Sequence, residues 1–271
     1  MGKPMATIER RAFRPQQQNA ATAPPQHAEW HGGPLIKLGW RMRLGVLLPS
    51  VNTVAEPQLQ AMLPDGVSVH TTRLKLTGSS PEELLGMTKN VEEASRLLAD
   101  IEPNRILFHC TATTTFDVAM PGRLRERITA ATGLPATVTS EALIAAFEAL
   151  GVRKLVLVTP YIHEINEREV GFLGHHGISV LREFGCNLPG GKEFARVEPA
   201  EWYRVVMEHR HDDADAYFIS CAQVRSAEII DVLEHDLQRP VVTSNQAAIW
   251  HCLRQSGITD KVFGFGTLLQ M

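Results

Sequence analysis

The chain has 271 residues, with 27 lysines and arginines against 30 aspartates and glutamates, and 44% of its residues are hydrophobic. This near-neutral balance excludes a protein that binds nucleic acid through a basic face. No apolar run reaches the roughly 18 residues of a membrane-spanning helix, so we expect no membrane partner. Glutamines follow the first arginines where a secretory signal would be apolar, which favours a cytoplasmic protein.

The cysteine content and the short motifs argue against disulfides, metals and nucleotide cofactors. Four cysteines are too few for a disulfide scaffold at this length, and we expect them to be reduced. No CxxC or HExxH motif is present, so no metal site is expected. The segment PSVNT at 49–53 lacks the glycines of a dinucleotide-binding loop, and we therefore expect no cofactor.

Taken in chain order, the residues predict a tail followed by alternating strands and helices. Residues 1–40 are rich in Gln, Ala and Pro, which predicts a disordered or loosely docked N-terminal tail. Short apolar runs predict strands at 44–48, 67–72, 105–109, 136–139, 155–159, 179–182, 216–220, 241–243 and 262–265. Helical spacing predicts helices at 57–62, 81–99, 123–131, 141–150 (with Ser140 as its N-cap), 164–175, 200–209, 226–236 and 246–255. This alternation predicts an α/β fold with parallel sheets covered by helices.

The second half of the chain repeats the pattern of the first. The first half reads LFHCTAT at 107–113 and LPATVTS at 134–140, followed by a predicted helix and strand. The second half reads FISCAQ at 218–223 and RPVVTS at 239–244, again followed by a helix and a strand. We therefore predict two similar Rossmann-like half-domains related by a pseudo-twofold axis, with the active site in the cleft between them.

The duplication also predicts where the lobes divide and where the two cysteines lie. We expect 41–153 with 259–271 to form the first lobe and 154–258 the second, since the strand at 262–265 mirrors the one that leaves the first lobe. Cys110 and Cys221 each follow a predicted strand. Ligands of open α/β sheets bind beyond the carboxyl ends of strands, so both thiols are expected to face one pocket.

A pair of facing thiols can perform chemistry that one thiol cannot. A thiol is a strong nucleophile once deprotonated and is also a competent proton donor. One thiol can remove a proton or add to a double bond while the other delivers a proton from the opposite side. Cys110 and Cys221 are therefore the predicted catalytic residues, whereas Cys186 and Cys252 are interpreted as packing residues.

Six further residues are predicted to bind a substrate carboxylate, because each offers an N–H or O–H group next to a strand end: Asn52, Thr111, Ala112, Tyr161, Ala222 and Gln223. Successive backbone N–H groups after each cysteine form the expected anion site. The asparagine amide and the tyrosine hydroxyl are expected to point into the cleft. His109 should point to the opposite side of its strand and is not assigned as a catalytic base.

Several of these segments resemble the aspartate/glutamate racemase superfamily. They are LGVLLPSVNT at 44–53, FHCTA at 108–112, LVLVTPY at 155–161, ISCA at 219–222 and PVVTS at 240–244. Within the superfamily, residues 43–266 are similar to the branch of maleate cis–trans isomerases and arylmalonate decarboxylases. Racemase-like members associated with ectoine utilisation also belong to this branch, and this chain is a candidate for that group.

The resemblance implies an enzyme without metal or cofactor that acts on small carboxylates between two lobes, as a homodimer. In the isomerases, Cys110 would correspond to the nucleophile that adds to the alkene, and Cys221 to the proton donor and acceptor. The carboxylates would be held by Asn52, by Tyr161 and by the N–H groups that follow the two cysteines. We therefore expect a maleate-isomerase-like isomerase of a small carboxylate or dicarboxylate.

Departures from the family patterns leave alternatives open. Amino-acid racemases usually show Cys-Asn-Thr and Gly-Cys-Thr, where this chain has Cys-Thr-Ala and Ser-Cys-Ala. Arylmalonate decarboxylases resemble the segment YIHEINER at 161–168 but keep only the second cysteine. Maleate isomerases bind substrate with an asparagine near 186–196, where this chain offers only Asn187. The alternatives are an amino-acid racemase, an arylmalonate-type decarboxylase and a two-lobe carboxylate-binding protein without turnover.

Overall fold

The computed structural model describes residues 38–76 and 78–271, so most of the predicted tail at 1–40 lies outside the described residues. Within them, eight strands form two sheets of four strands each. The strands are β1 Met42–Pro49, β2 Val67–Leu74, β3 Arg105–Phe108, β4 Ala136–Val138, β5 Lys154–Thr159, β6 Ser179–Gly185, β7 Ala216–Ile219 and β8 Val241–Thr243.

The two sheets have the same topology. Their strand orders are β2-β1-β3-β4 and β6-β5-β7-β8, and every neighbouring pair is parallel. β1 and β5 each lie between two other strands, and both are buried along nearly their whole length. Strands covered on both faces are continuously apolar, which is why these two runs stand out in the sequence. The prediction of two similar α/β half-domains with parallel sheets is confirmed.

Within the described residues, ten helices lie between the strands and an eleventh follows β8. They are α1 Ala55–Ala61, α2 Pro81–Met87, α3 Val91–Ala99, α4 Thr111–Thr114, α5 Met120–Thr132, α6 Thr139–Ala149, α7 His163–His175, α8 Gly191–Phe194, α9 Pro199–Glu208, α10 Ile230–Leu237 and α11 Ser244–Gln255. None of these helices has the length and apolarity that crossing a bilayer requires.

Two helix predictions are wrong in detail. The single helix predicted at 81–99 is divided into α2 and α3 by the 3₁₀ turn Thr88–Asn90. Its first residue donates its hydroxyl hydrogen to the Leu85 carbonyl, a local bond that competes with regular helix geometry. Likewise, the helix predicted at 226–236 begins with the 3₁₀ turn Ala227–Ile229 before α10.

Ser140 does not cap α6 as predicted. The helix begins at Thr139 with Val138 in the N-cap position, because β4 leads directly into it. Ser140 therefore lies inside the first turn, and its hydroxyl donates to the Thr114 carbonyl at 3.1 Å. In the second half, by contrast, Thr243 caps α11 and forms a capping box with Gln246.

The helices that follow β4 and β8 tie the two halves together. α6 and α11 pack against each other. Phe147 of α6 also meets Phe218 of β7 edge-to-face, with ring centroids 5.4 Å apart, while α11 packs against β3. Each of these helices therefore lies against the sheet of the other half. This exchange holds the carboxyl ends of the two sheets in a fixed relation.

The strand predicted at 262–265 is wrong, since this segment has no strand geometry. Gly264 and Gly266 both have positive φ, at 88° and 78°, which interrupts an extended chain. The segment is instead held by helices: the Phe265 carbonyl accepts from Gln246 of α11, and Gly266 N–H donates to Asp231 of α10. Apolar composition and the repeated pattern of the two halves suggested the strand, but the glycines decide the backbone.

Candidate active site

A cavity of about 50 Å³ lies between the segments that follow β1, β3, β5 and β7. In each sheet, these strands flank the point where the strand order reverses, which is where open α/β sheets bind ligands. A cavity needs roughly 10–15 Å³ of volume to hold one water molecule. This cavity therefore has room for a small organic acid. All eight residues predicted from the sequence line it: Asn52, Cys110, Thr111, Ala112, Tyr161, Cys221, Ala222 and Gln223.

Cys110 follows β3 and precedes the short helix α4. Its backbone is extended, with φ −155° and ψ 108°, and its side chain is buried. Burial raises the pKa of the Cys110 thiol, because a thiolate is poorly solvated inside the protein. The Thr113 hydroxyl donates to Cys110 Sγ at 3.2 Å and opposes this shift. The sequence therefore provides a donor for the thiolate one helical turn away.

Cys221 follows β7 and has a different backbone. Its φ is 93°, in the left-handed region that favours glycine, and a non-glycine residue there costs about 1–3 kcal/mol. Burial raises the pKa of the Cys221 thiol to about 12, against hydrogen bonds from the Tyr161 hydroxyl and from Gln223 N–H at 3.4 Å. A negative charge on Cys110 raises this pKa further. The cavity therefore disfavours two thiolates at once.

Tyr161 lies at the start of the second half, after β5, and its ring is buried against Phe194 of α8. Burial, followed by the charge of Cys221, holds the pKa of the Tyr161 hydroxyl well above its usual range. The hydroxyl is therefore a hydrogen-bond donor at any ordinary pH. Its bond to Cys221 aims this donor into the cavity.

Asn52 and Gln223 link the two halves across the cavity. The Asn52 oxygen accepts from the first N–H groups of α1, and its nitrogen donates to the Ala222 carbonyl at 3.2 Å. The Gln223 side chain accepts from Thr53 N–H and donates to the carbonyls of Val51 and Gly191. The oxygen and the nitrogen of the Gln223 side-chain amide are thus both hydrogen-bonded within the protein. The backbone N–H of Gln223 is the group that remains close to the Cys221 thiol.

The rest of the cavity wall is mainly apolar. Leu76 and Leu84 come from the first half, and Phe194 from the second. Among the described residues that line the cavity, none has a charged side chain. An anionic substrate group would therefore depend on N–H and O–H donors, and an apolar part of the substrate would find matching surface.

His109, next to Cys110, does not line the cavity but belongs to a buried polar network between the halves. Its Nε2 lies 2.7 Å from the Asn245 oxygen, and its Nδ1 lies 2.9 Å from the Thr139 hydroxyl. The Asn245 nitrogen donates to Gln58 at 2.6 Å, so its oxygen is the atom that faces the histidine. Burial lowers the His109 pKa to about 4, so the ring is neutral at neutral pH.

Glu169 is a functional candidate that the sequence reasoning missed. The side chain is completely buried in α7, and Oε1 accepts from the Ser220 hydroxyl at 2.7 Å, directly before Cys221. Oε2 is buried without a hydrogen-bond partner. Burial raises the pKa of this carboxyl to about 8, so it is protonated at neutral pH. Its position on the apolar face of α7, four residues after Ile165, was the available sequence signal.

The remaining sequence candidates lie away from the cavity. Cys252 is buried in α11 and Cys186 is half-buried after β6, and neither lines the cavity. Asn187 is exposed, has a φ of 52° and does not line the cavity either. Within the described residues, no group of three His, Cys, Asp or Glu side chains is placed to hold a metal ion.

The sequence and the fold of this chain are similar to those of known proteins. The arylmalonate decarboxylase family matches residues 44–269. A maleate isomerase from Nocardia farcinica is 29% identical over 252 residues, covering 84% of this chain and 95% of the relative. The solved maleate isomerase from Pseudomonas putida has a TM-score of 0.82 at 25% identity, covering 84% of this chain and 98% of that one.

A further solved structure is a cysteine-to-serine mutant of the Nocardia farcinica maleate cis–trans isomerase with a covalently bound succinylcysteine intermediate. It has a TM-score of 0.80 at 22% identity and covers 84% of this chain and 98% of that one. This similarity concerns the fold. Together, the comparisons confirm the resemblance that the sequence motifs indicated.

Proposed function

Because the chain belongs to the arylmalonate decarboxylase family, we propose that it is a cofactor-independent isomerase of maleate-isomerase type that acts on a small carboxylate or dicarboxylate. Cys110 is the nucleophile, and Cys221 is the acid and base. The observation that carries the proposal is the pair of buried thiols, one from each half, that line the same small cavity.

The proposed reaction conserves atoms and charge. The Cys110 thiolate adds to one alkene carbon, and the π electrons move to the neighbouring carbon, which takes the proton of the Cys221 thiol. The former double bond is then a single bond and rotates. The Cys221 thiolate removes the proton again, the double bond forms, and the bond between carbon and Cys110 sulfur breaks.

The electrostatics of the cavity suit this division of roles. Repulsion between two thiolates disfavours the deprotonation of both cysteines at once, which suits a reaction that needs one thiolate and one thiol. The high pKa of Cys221, about 12, keeps this residue protonated before the reaction. The Thr113 hydroxyl lowers the pKa of Cys110 against the effect of burial, which favours this cysteine as the thiolate.

Carboxylate binding is assigned to the donors of the cavity wall. The N–H groups that follow the two cysteines, at Thr111, Ala112, Ala222 and Gln223, serve this role together with Asn52 and the Tyr161 hydroxyl. These donors attract an anion without a charged side chain, as backbone N–H groups in other anion sites do. The family resemblance extends the proposal to a cytoplasmic homodimer. Light scattering of the purified protein tests the dimer.

Decarboxylation of an arylmalonate-type substrate is the second candidate. The apolar wall formed by Leu76, Leu84 and Phe194 would accept an aryl substituent, and the matching family is named for this activity. A decarboxylase needs one thiol to protonate the carbanion that remains after loss of CO₂. The two reactions therefore differ in whether Cys110 is required.

The test is incubation with maleate, racemisable amino acids and arylmalonates in D₂O, followed by NMR. Wild type is compared with Cys110→Ala, Cys221→Ala and the control Cys186→Ala, which changes a thiol outside the cavity. We expect alkene isomerisation that both cavity variants lose and the control keeps. Loss of CO₂ that survives Cys110→Ala identifies a decarboxylase, and deuterium at an α-carbon identifies a racemase. No turnover of any substrate, together with slowly reacting thiols, favours a carboxylate-binding protein.

A further inference from the structure

Ser244 connects the two segments that carry the catalytic cysteines. It is the first residue of α11, and its side chain is completely buried. Its hydroxyl oxygen accepts from the backbone N–H of Cys221 at 3.0 Å and from the hydroxyl of Thr111 at 2.9 Å. A single oxygen atom therefore fixes Cys221 relative to the residue that follows Cys110.

The backbone of Cys221 requires such a partner. β7 ends at Ile219, so the N–H of Cys221 lies beyond the ladder with β8. The residue is buried, and a buried N–H group without an acceptor is strongly unfavourable. Its φ of 93° also persists only if the surroundings hold it there. Ser244 supplies the acceptor at that place.

Ser244 is itself held firmly. The neighbouring Thr243 and Gln246 form a capping box at the start of α11. The next residue, Asn245, bonds to Gln58 of α1 and to the Ala222 carbonyl. The start of this helix is thus attached to both halves of the molecule, and it provides a rigid support for the serine hydroxyl.

The first half contains a matched serine that makes a different contact. Ser140 occupies the equivalent place in the duplicated Thr-Ser sequence, and it is equally buried. Its hydroxyl donates to the Thr114 carbonyl at the end of α4 and not to Cys110. Cys110 correspondingly has an extended backbone with φ −155°. The bond between a serine and a strained cysteine is specific to the second half.

We propose that Ser244 is the positioning residue for Cys221, and that its hydroxyl oxygen holds the left-handed cysteine so that the thiol meets the Tyr161 hydroxyl and the Gln223 N–H group. The effect on turnover rests on the proposed function, whereas the effect on thiol reactivity does not.

The experiment compares Ser244→Ala, Ser244→Thr and the matched control Ser140→Ala with wild type. Iodoacetamide alkylation of Cys221 and Cys110 is followed in the same molecules by peptide mass spectrometry between pH 7 and 10. In Ser244→Ala, we expect Cys221 to lose the donors that stabilise its thiolate and to react about tenfold more slowly relative to Cys110, corresponding to about one pKa unit. Ser244→Thr, which keeps the hydroxyl, and Ser140→Ala keep the wild-type ratio within about twofold.

The proposal is overturned if the ratio of the Cys221 alkylation rate to the Cys110 rate is unchanged or increased in Ser244→Ala. It is also overturned if this ratio changes equally in Ser140→Ala. Thermal unfolding confirms that each variant is folded, and Ser244→Gly replaces the alanine variant if that one is not. On the substrate that the D₂O experiment identifies, we expect kcat of Ser244→Ala to fall by about 10–100-fold with a smaller change in KM. Absence of turnover in wild type contradicts the proposed function but leaves the alkylation result as a separate test.

Discussion

The two cysteine segments occupy equivalent places in a duplicated fold, yet their local structures differ. Cys110 is extended and leads into the helical turn α4, whereas Cys221 has a φ of 93° and leads into a turn without a helix. The Cys110 sulfur receives a bond from Thr113, three residues later. The Cys221 sulfur also has a local donor in Gln223 N–H, but it has a second donor in Tyr161, and the Cys221 backbone N–H donates to Ser244; both of these residues are distant in sequence. The duplicated halves thus place the two thiols alike while the surroundings of the thiols differ, which suits the two different roles that we propose for them.

The halves also differ in the titratable group buried beside each cysteine. In the first half this group is His109, which is uncharged because burial lowers its pKa to about 4. In the second half it is Glu169, which is uncharged at neutral pH because burial raises its pKa to about 8. In each half, the titratable group near the thiol is therefore uncharged at neutral pH. The pKa is lowered for the histidine and raised for the carboxyl. The comparison can be tested from the largest expected effect to the smallest.

Serine in place of each cysteine should separate the two roles. With maleate or a related alkene, Cys221→Ser is expected to accumulate a covalent adduct on Cys110, because water can supply the proton that completes the addition, whereas serine is too weak a base to remove it again. Cys110→Ser should form no adduct on Cys221. Both variants should lose turnover by at least about a thousandfold. Intact-protein and peptide mass spectrometry measure the adducts, and an adduct on Cys221 alone would reverse the assignment.

Glu169→Gln should remove a loss of stability that wild type shows as the pH rises towards alkaline values. A carboxyl whose folded pKa is raised stabilises fully below its unfolded pKa, near 4.5, and this contribution is lost as pH rises through about 8. Wild type should therefore lose on the order of 3 kcal/mol relative to the variant between pH 5 and 8. Urea unfolding at several pH values measures the difference. Glu167→Gln, on the exposed side of α7, is the control. If the free energy of unfolding of Glu169→Gln changed with pH in parallel with that of wild type, the raised pKa of the buried carboxyl would be contradicted.

His109→Gln should change the profile in the acid direction. A histidine whose folded pKa is lowered contributes stability above its unfolded pKa, near 6.5, and loses it as pH falls through about 4. Wild type should lose about 2–3 kcal/mol relative to the variant between pH 7 and 4.5. The same unfolding series applies, with the exposed His175→Gln as the control. Equal slopes for wild type and His109→Gln would show that folding leaves the pKa of the ring unchanged, which would contradict the lowered pKa.

The smallest effect is expected at the edge of the cavity. A Cβ atom at Gly191 would lie 2.8 Å from Val51 Cγ2, and both residues line the cavity. Gly191→Ala should shift α8 and raise KM by about three- to fivefold, with little change in kcat. Steady-state kinetics measures this change. Gly171→Ala, on α7 with open space around its Cα, is the matched control and should keep the wild-type KM.

Much of the fold could be predicted because its signals are local. The strands are short apolar runs, and eight of the nine predicted strands correspond to observed strands, with their ends within three residues. The segment at 262–265 failed because its apolar residues alternate with glycines of positive φ. The helix at 81–99 was predicted as continuous because hydrophobic spacing does not report the local bond of Thr88 that interrupts it.

The candidate site was only partly predictable. The eight predicted residues of the cavity wall were accessible because each follows a strand end, a position that the sequence marks clearly. Ser244 and Glu169 were missed because their importance arises from contacts with residues far away in the chain. The repeated Thr-Ser sequence pointed to two serines but did not distinguish them, since the distinction lies in the backbone of the residue that each one contacts.

The sequence by itself determined the duplication, the parallel α/β halves and the positions of two cysteines after equivalent strands, since these depend on apolar periodicity and on order along the chain. The tertiary structure alone decided which groups surround each thiol. It gave Cys221 its left-handed backbone and its bond to Ser244, and it buried Glu169 beside Ser220. The physical reason is that hydrogen-bond geometry and desolvation depend on residues brought together from distant parts of the chain, and these quantities set the protonation of the two thiols.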